Sequence, residues 1–600
     1  MKQQHAENDK RIRIGALQVA ALLTAAGLFV LLALRFAYFF DLNDDVLMKD
    51  ILSGVYTGTP EGRNIQMLFP ISFLISLLYH VTRQVDWYGI FLLTCQFGCF
   101  ALVLYRSLSL ADTRRRKWLA GAAVTALCLT FLLPHLVFLQ YSITTGMLCA
   151  TAAWWLATLP DAAVSNPPGG IGEGIRTVWK SHWLPLCLLA LAYVLRSEMT
   201  LFLLPLVALA ALLPLVLQDP DRPLLESWAL QKRRLLLLLG GVLCVLFLGT
   251  AADAIATASP DWRAFRSFFD ARTRLYDYYF YDMPTYAEEP EVFDVLGLDA
   301  SDAGLLDNYN FSLADDLDEE AMWRLVAEAK SKHEKKIPPA GRIKLALREY
   351  IDRGRHLEDG VYGVLTALAS IGLAGWLLLH RGEARARRGA LLLILLWIFR
   401  SGLWLYLLYS GRAPERLTHP LYLLELLLLF ALWRRLCRRA EGLYRVVAVF
   451  LALALLFLPG QYGRTAAEAE HRERMQPAWE AYLDYCAAHP EEIFFTDVYS
   501  TVAYSERVFD RFGTASVMSN QDVMGGWAAK SPLYQKRLAA QGLSTMQDAI
   551  AHDARVRVVC AANRDIRWLK ERFASRGIRG RFEEVERVGE VFVIYRFLGE

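Results

Sequence analysis

Charge is scarce in this chain, and neither sign dominates. Charged residues fill 21% of the 600 positions and the net charge is +3, where a soluble protein would carry about a quarter charged residues. No basic field is available for nucleic acid, because Lys and Arg fall in short clusters between apolar runs instead of sharing one face. The nine Cys residues form no framework. Cys95, Cys99, Cys128, Cys149, Cys187 and Cys244 lie inside apolar runs, where Cys acts as a small hydrophobe. Cys486 and Cys560 sit in the polar C-terminal part and can pair, but no CxxC or zinc spacing is present. There is no P-loop, no HExxH, and no GxSxG in a strand–turn–helix setting. Pro167-Pro168-Gly169-Gly170-Ile171-Gly172 reads as a linker, not as a phosphate loop, and Asn310-Phe311-Ser312 matches the glycosylation triplet at the level of chance. No repeat of fixed period occurs.

What the chain does have is apolar length, with 55% of its residues hydrophobic. A membrane helix needs roughly 20 apolar residues. Good candidates are 14–40, 87–105, 118–136, 142–158, 235–257, 361–379, 389–408 and 443–459; shorter or interrupted ones are 67–81, 183–195, 199–217 and 419–433. The run 14–40 is too long for a signal-peptide core and has no small-residue cleavage site after it, so it is expected to remain as the first span. Lys10, Arg11 and Arg13 before it predict a cytoplasmic N-terminus. The clusters Arg114 to Lys117, Lys232 to Arg234, Arg381 to Arg388 and Arg434 to Arg439 can all be cytoplasmic only if 67–81 does not cross. That segment is short and begins Met67-Leu68-Phe69-Pro70, which suits a re-entrant or surface-lying helix. The expected architecture is therefore an α-helical polytopic membrane bundle of about 11 to 13 transmembrane helices with a C-terminal extracytoplasmic α/β domain. Residues 1–459 form the bundle, with outer loops 41–86 and 258–360, and 460–600 form the domain. Strands are expected at 493–496, 556–560 and 591–595, and helices at 477–488, 532–552 and 563–576.

Five clusters of polar residues fall at the outer boundary in this topology. The first is Asp41-Leu42-Asn43-Asp44-Asp45, three carboxylates within five residues directly after the first span. A carboxylate so placed can take a proton from an acceptor hydroxyl, and adjacent like charges raise one of the pKa values. The plainer reading is a solvated loop ending a helix. The second is the short loop Tyr409 to Pro420, with Arg412 and Arg416. A guanidinium matches phosphate oxygens bidentately, so a lipid phosphate suits this pair; headgroup anchoring or an ion pair with Glu415 is the alternative. The third is Leu195-Arg196-Ser197-Glu198, read as an ion pair next to apolar helix that lines a cavity or makes a hairpin turn. The fourth is Gln140-Tyr141-Ser142, with Tyr141 either a sugar contact or an interfacial belt residue. The fifth is 263–286, where Arg266, Arg272, Arg274 and Asp277 stand among aromatics, as in an amphipathic surface helix or a sugar platform.

The first loop continues Met48-Lys49-Asp50-Ile51-Leu52-Ser53-Gly54 and Tyr56 to Asn64. With its acidic pair Asp44-Asp45 behind the first span, surface helices over 46–56, a Pro-containing start at Met67 to Pro70, a long late outer loop and an outer α/β domain, the chain resembles the GT-C superfamily of polytopic glycosyltransferases. It is similar in type to the dolichyl-phosphate-mannose mannosyltransferases and lipid A aminoarabinose transferases. The resemblance spans nearly the whole chain as architecture, but its motif is short. It implies transfer of a sugar from a polyprenyl-phosphate carrier to an envelope glycan, lipid or protein on the outer face of the cell membrane. Asp44 or Asp45 would be the catalytic base, with Arg412, Arg416, Arg196, Glu198, Asp41 and Tyr141 around the substrates. No cofactor is expected, since Arg can hold a carrier monophosphate; a divalent metal at the Asp cluster stays open. The competing readings are a lipid or polysaccharide transporter or flippase, which predicts midplane charges and internal symmetry, and a non-catalytic envelope scaffold, for which the first-loop acids are dispensable.

Overall fold

Ten helices among the described residues are long and apolar enough to cross a membrane. The computed structural model describes residues 2–160, 171–356, 359–437, 440–510 and 518–600. The bundle begins α1 (Lys2–Arg35), β1 (Phe39–Phe40), α2 (Asn43–Ser53), α3 (Phe69–Val81), α4 (Trp87–Leu110), α5 (Arg114–Val137), β2 (Phe138–Leu139), α6 (Tyr141–Ala157), α7 (Ile171–Leu195), α8 (Ser197–Leu217) and α9 (Leu224–Ala256). The long loop holds α10 (Pro260–Tyr278), α11 (Pro290–Asp294), α12 (Ala300–Asp307), α13 (Glu319–Lys336) and α14 (Pro339–Asp352). The bundle then resumes with α15 (Gly360–Leu379), α16 (Ala384–Tyr409), α17 (Glu415–Leu436) and α18 (Ala440–Ala488). The predicted linker residues 167–170 lie outside the described residues; Ile171 and Gly172 open α7.

The eleventh element of the bundle is α6, 17 residues long and buried along nearly its whole length against α7, α8 and α17. It meets α17 closely because Gly146 faces Pro420; a Cβ on Gly146 would stand 2.3 Å from the proline Cβ.

Parity decides the topology. β1 and β2 pair in parallel, Phe39 with Phe138 and Phe40 with Leu139, and Asp41 N–H donates to Leu139 O at 2.8 Å. The chain leaving α1 and the chain leaving α5 are therefore at the same end. Two crossings, α4 and α5, satisfy this, whereas a third crossing by α3 would put Phe138 at the other end. With 13 residues, α3 spans only about 20 Å at 1.5 Å per residue, against a bilayer core of about 30 Å. It stays at the first end, where Leu68 N–H donates to Val194 O at 3.0 Å and Phe69 N–H to Asp253 Oδ1 at 3.0 Å. The predicted non-crossing of 67–81 matches this arrangement.

At the opposite end, basic side chains close helix termini. Arg435 Nε donates to Ala157 O at 2.7 Å and Arg388 Nη1 to Val216 O at 2.8 Å, answering the carbonyls that every helix leaves unpaired in its last turn.

The C-terminal part carries β3 (Ile493–Thr496), β4 (Gln521–Val523), α19 (Pro532–Ala540), α20 (Met546–His552), β5 (Val556–Ala561), α21 (Arg567–Ser575), β6 (Gly580–Val588) and β7 (Phe592–Gly599). The sheet order is β4-β3-β5-β7-β6, with β4, β3 and β5 parallel and β7 antiparallel to both neighbours. The predicted helix 532–552 is two helices, divided by Gly542 at φ +75°. The predicted helix 477–488 is the far end of α18, a 49-residue helix that runs from the bundle into the domain. One sheet face packs on that end of α18 through Trp479, Tyr482, Phe494, Phe592 and Ile594. The other shares a core with the long loop, where Phe268, Leu275, Phe311 and Met322 meet Phe495, Val558 and Leu569. Strand alternation sends Val559 to the first face and Cys560 to the second, so Cys560 lies across the sheet from Cys486 and both are free thiols. This corrects the pairing considered from sequence.

Candidate active site

The first loop is built around α2. Asp44 in its first turn complements the positive end of the helix dipole. Gly54 ends the helix in the left-handed region at φ +84°, where a Cβ would lie 2.4 Å from the Thr59 carbonyl carbon. Helical periodicity then sorts the residues. Asp45, Met48 and Leu52 form the buried face, each 0% exposed. Asn43, Val46, Leu47 and Asp50, together with Asp44, turn toward a cavity of about 1340 Å³ at the loop end of the bundle.

That cavity has three walls. The first loop supplies the residues just named, with Tyr56 and Gln66. The bundle supplies Tyr141, Arg196 and Glu198, then Leu201, Phe202 and Pro205 of α8, and Leu403, Tyr406, Leu407, Arg412 and Arg416 of α16, the late loop and α17. The long loop and the C-terminal domain supply Arg272, Arg274, Asp277 and Tyr309 on one side, and Thr501, Glu506, Asp522, Trp527 and Arg537 on the other. Leu201 and Tyr406 are 47% and 65% exposed, so the apolar wall runs out to the lipid-facing surface of the bundle.

Tyr141 joins the charged groups. Its ring carries the Arg196 guanidinium at 4.7 Å, its hydroxyl donates to Gln66 Oε1 at 3.2 Å, and Asp44, Arg196 and Arg416 are all within electrostatic reach of it. Arg196 also donates to Ser142 Oγ. Among the described residues it has no ion pair with Glu198, which lies exposed in the first turn of α8. The predicted Arg196–Glu198 pair is thus replaced by a guanidinium stacked over Tyr141. Arg412 is ion-paired with Asp277, not with Glu415, so the late loop clasps α10. Arg416 is half-buried and, among the described residues, makes no hydrogen bond or ion pair. Asp44 is half-buried on the cavity wall.

Asp45 and Asp41 do different work. Asp45 Oδ1 accepts from Tyr88 Oη at 2.8 Å and from Tyr141 N–H at 3.1 Å. Burial pushes its carboxyl well above the usual carboxylate range. It pins α6 to α2 and does not line the cavity, so of the acidic pair only Asp44 faces the open volume. Asp41 accepts from Arg472 Nη2 at 3.0 Å and lies beside the cavity within reach of Arg416; burial raises its carboxyl and Arg472 opposes the rise.

Residues without a local sequence signal complete the site. Lys49 bridges Asp50, at 3.3 Å, and Glu506. Burial pushes the Asp50 carboxyl up to about 6, with Lys49 opposing. Arg537, 1% exposed, pairs with Asp522 at 3.0 Å and donates to Tyr56 O at 2.7 Å, tying the C-terminal domain to the first loop. The contacts Lys49–Glu506 and Arg537–Tyr56 join residues more than 400 positions apart in sequence, and only the acidic or basic character of each residue was legible. Among the described residues no three His, Cys, Asp or Glu side chains cluster as metal ligands.

The arrangement sets several carboxylates, Asp44 among them, and several guanidiniums around one volume with an apolar wall that reaches the bundle surface. No family model and no curated protein matches the chain. Among solved structures it is similar to the crystal structure of ArnT from Cupriavidus metallidurans bound to undecaprenyl phosphate, at 10% identity and a TM-score of 0.33 over 98% of each chain.

Proposed function

We propose that this chain is a multi-pass membrane glycosyltransferase that moves a sugar from a polyprenyl-phosphate carrier to a hydroxyl of an envelope glycan, lipid or protein. The observation that carries the reading is the convergence of Asp44, Arg196, Arg412 and Arg416 on one cavity that has an apolar stretch of bundle wall, Leu201, Phe202, Pro205, Leu403 and Leu407. The isoprenoid chain lies against Leu201, Phe202 and Pro205, and the carrier phosphate meets the guanidiniums, which match its oxygens in geometry and charge. Asp44 takes the proton of the acceptor hydroxyl. The acceptor oxygen bonds to the anomeric carbon as the carbon–oxygen bond to phosphate breaks, and the electron pair leaves on the phosphate oxygen. Arg416, which makes no hydrogen bond or ion pair among the described residues, stabilises that developing charge. Residues lining the C-terminal side face the acceptor.

The arginine-rich end of the bundle faces the cytoplasm by the positive-inside rule, which puts the cavity and the C-terminal domain outside. A nucleotide site is unnecessary because the donor arrives within the bilayer.

The test is turnover of a panel of polyprenyl-phosphate-linked sugars by the full chain in detergent, read as release of polyprenyl phosphate. Asp44→Asn is expected to lower the rate by roughly 10²- to 10⁴-fold, the usual contribution of a general base, and Asp45→Asn to leave it near wild type. Full turnover by Asp44→Asn would sink the assignment.

A further inference from the structure

The carboxyl ends of the parallel strands β3 and β4 open onto the large cavity. The chain leaving β3 supplies Thr501 and Glu506 to its wall, and the turn after β4 supplies Gly526 and Trp527. Open α/β sheets bind ligands outside the carboxyl ends of their strands. Beside β5 that edge is already filled, since Arg564 pairs with Asp497 at 2.7 Å and Ala561 N–H donates to Ser500 Oγ at 2.8 Å. Toward β4 it stays open. Trp527 is nine-tenths buried, at 9% exposure, and lines the cavity. Its indole N–H meets no acceptor among the described residues and is not sealed off by them.

Asp50 and Glu506 stand on the same cavity wall and keep 19% and 17% of their side chains exposed, although Lys49 bridges them. Two carboxylates offer four acceptor oxygens, more than one ammonium saturates. The cations at this wall are engaged, Lys49 by these two acids and Arg537 by Asp522 and Tyr56 O. The wall is therefore acidic, in contrast to the bundle wall with Arg196, Arg412 and Arg416. It is also closed to a peptide that would add to the edge strand β4. Arg537 Nη2 donates to the Ser519 and Gln521 carbonyls at 2.9 and 2.6 Å, and Asp522 Oδ1 accepts from Val523 N–H at 2.8 Å.

We infer that this wall is a subsite for an uncharged sugar ring, and that the acceptor is a glycan. Ring hydroxyls donate to Asp50 and Glu506 in bonds strengthened by the carboxylate charge, and a ring hydroxyl oxygen accepts from Trp527 Nε1. The acids repel a phosphorylated or uronic acceptor. The inference rests on the transferase reading only in calling this ring the acceptor.

The experiment is saturation-transfer NMR of the full chain in lipid nanodiscs, without carrier. The probes are the methyl glycosides of glucose, galactose and mannose, then glucuronic acid, mannose 6-phosphate and a hexapeptide containing Ser and Thr. Wild type is expected to hold at least one neutral glycoside about tenfold more tightly than either anion or the peptide. Glu506→Gln weakens that glycoside about tenfold, as loss of a charge-assisted bond implies, and Trp527→Phe about fivefold through one neutral hydrogen bond. Should Glu506→Gln fail to fold, Trp527→Phe, which keeps an aromatic ring in place, carries the test. No binding of any neutral glycoside, equal binding of an anion or the peptide, or unchanged binding in both variants overturns the inference. Sugar transfer from a carrier without glycoside binding overturns this subsite alone. Glycoside binding without transfer from any carrier overturns the transferase reading and leaves the sugar subsite standing.

Discussion

The two ends of the helical bundle use arginine in opposite ways. At the end away from the cavity, Arg435 donates to Ala157 O at 2.7 Å and Leu159 O at 2.5 Å, Arg388 to the Val216 and Arg222 carbonyls, and Arg106 to Thr158. Except at Arg222, which lies in the turn between α8 and α9, these side chains finish helix termini, where a cation suits both the open carbonyls and the dipole. At the cavity end, Arg416 has no such tether among the described residues, Arg196 lies across a tyrosine ring, and Arg412 reaches from one loop to another through Asp277. The residue type is the same, and the number of protein acceptors already bound to it separates a structural arginine from one available to a ligand.

The comparison predicts that neutralising arginines at the two ends gives opposite phenotypes. Arg416→Ala is expected to reduce kcat/KM for the carrier-linked sugar by about 10²-fold or more, a loss of about 2.7 kcal/mol or more of transition-state stabilisation. Its melting temperature in detergent should stay within a degree or two of wild type, because no hydrogen bond or ion pair among the described residues is lost. Arg412→Ala combines a similar loss with some loosening of α10, through the freed Asp277. A large drop in melting temperature with normal turnover per folded molecule would place Arg416 among the structural arginines and erase the distinction.

Arg435→Ala probes the other end. Its guanidinium is buried, 8% exposed, and its removal strands the Ala157 and Leu159 carbonyls. Each buried carbonyl left without a donor costs about 1–3 kcal/mol, so a destabilisation of about 2–4 kcal/mol is expected in denaturation of the detergent-solubilised chain. Turnover of the folded fraction should be unchanged. A catalytic defect without loss of stability would show that the two ends are coupled through α17, which carries Arg416 in its first turn and Arg435 in its last.

Much of this plan is legible in the sequence. Apolar runs and Lys/Arg clusters give the spans and their parity, because a bilayer imposes length and charge rules that act locally along the chain. The parity of the Lys/Arg clusters, with the shortness of 67–81, predicted that α3 does not cross. Arg412 and Arg416 stood out because charge at a membrane boundary is costly without a partner. The choice between Asp44 and Asp45 was not legible. Neighbours on a helix point about 100° apart, so the two members of a pair need not face the same cavity. Which one does so depends on where α2 begins and on Tyr88, a partner from the next crossing helix. The contributions of Asp50, Glu506 and Arg537 were hidden for the same reason on a larger scale, since they arise from packing of the C-terminal domain on the first loop. That domain also shares a core with the long loop, although the sequence suggested two separate outer elements.

The Asp44–Asp45 contrast refines the comparison within the cavity end itself, and Asp45→Asn is the gentlest probe of it. Asn keeps an oxygen to accept from Tyr88 and Tyr141 and puts an N–H where the protonated carboxyl has its O–H, so the α2–α6 junction should survive. The sign of the pH effect follows from burial. The folded chain holds the Asp45 proton well above the usual carboxylate range, while the unfolded chain releases it near pH 4. Above that pH the native state binds more protons than the unfolded one, so wild-type stability falls as pH rises toward the folded pKa. Asp45→Asn lacks this titration. Its stability relative to wild type should therefore grow with pH from about 4 upward, by at most about 1.4 kcal/mol per unit. Melting curves from pH 4 to 8 measure the gap, with turnover at each pH as the companion reading. A gap that narrows as pH rises, or turnover that collapses as in Asp44→Asn, would mean that Asp45 is ionised and acts in the cavity beside its neighbour.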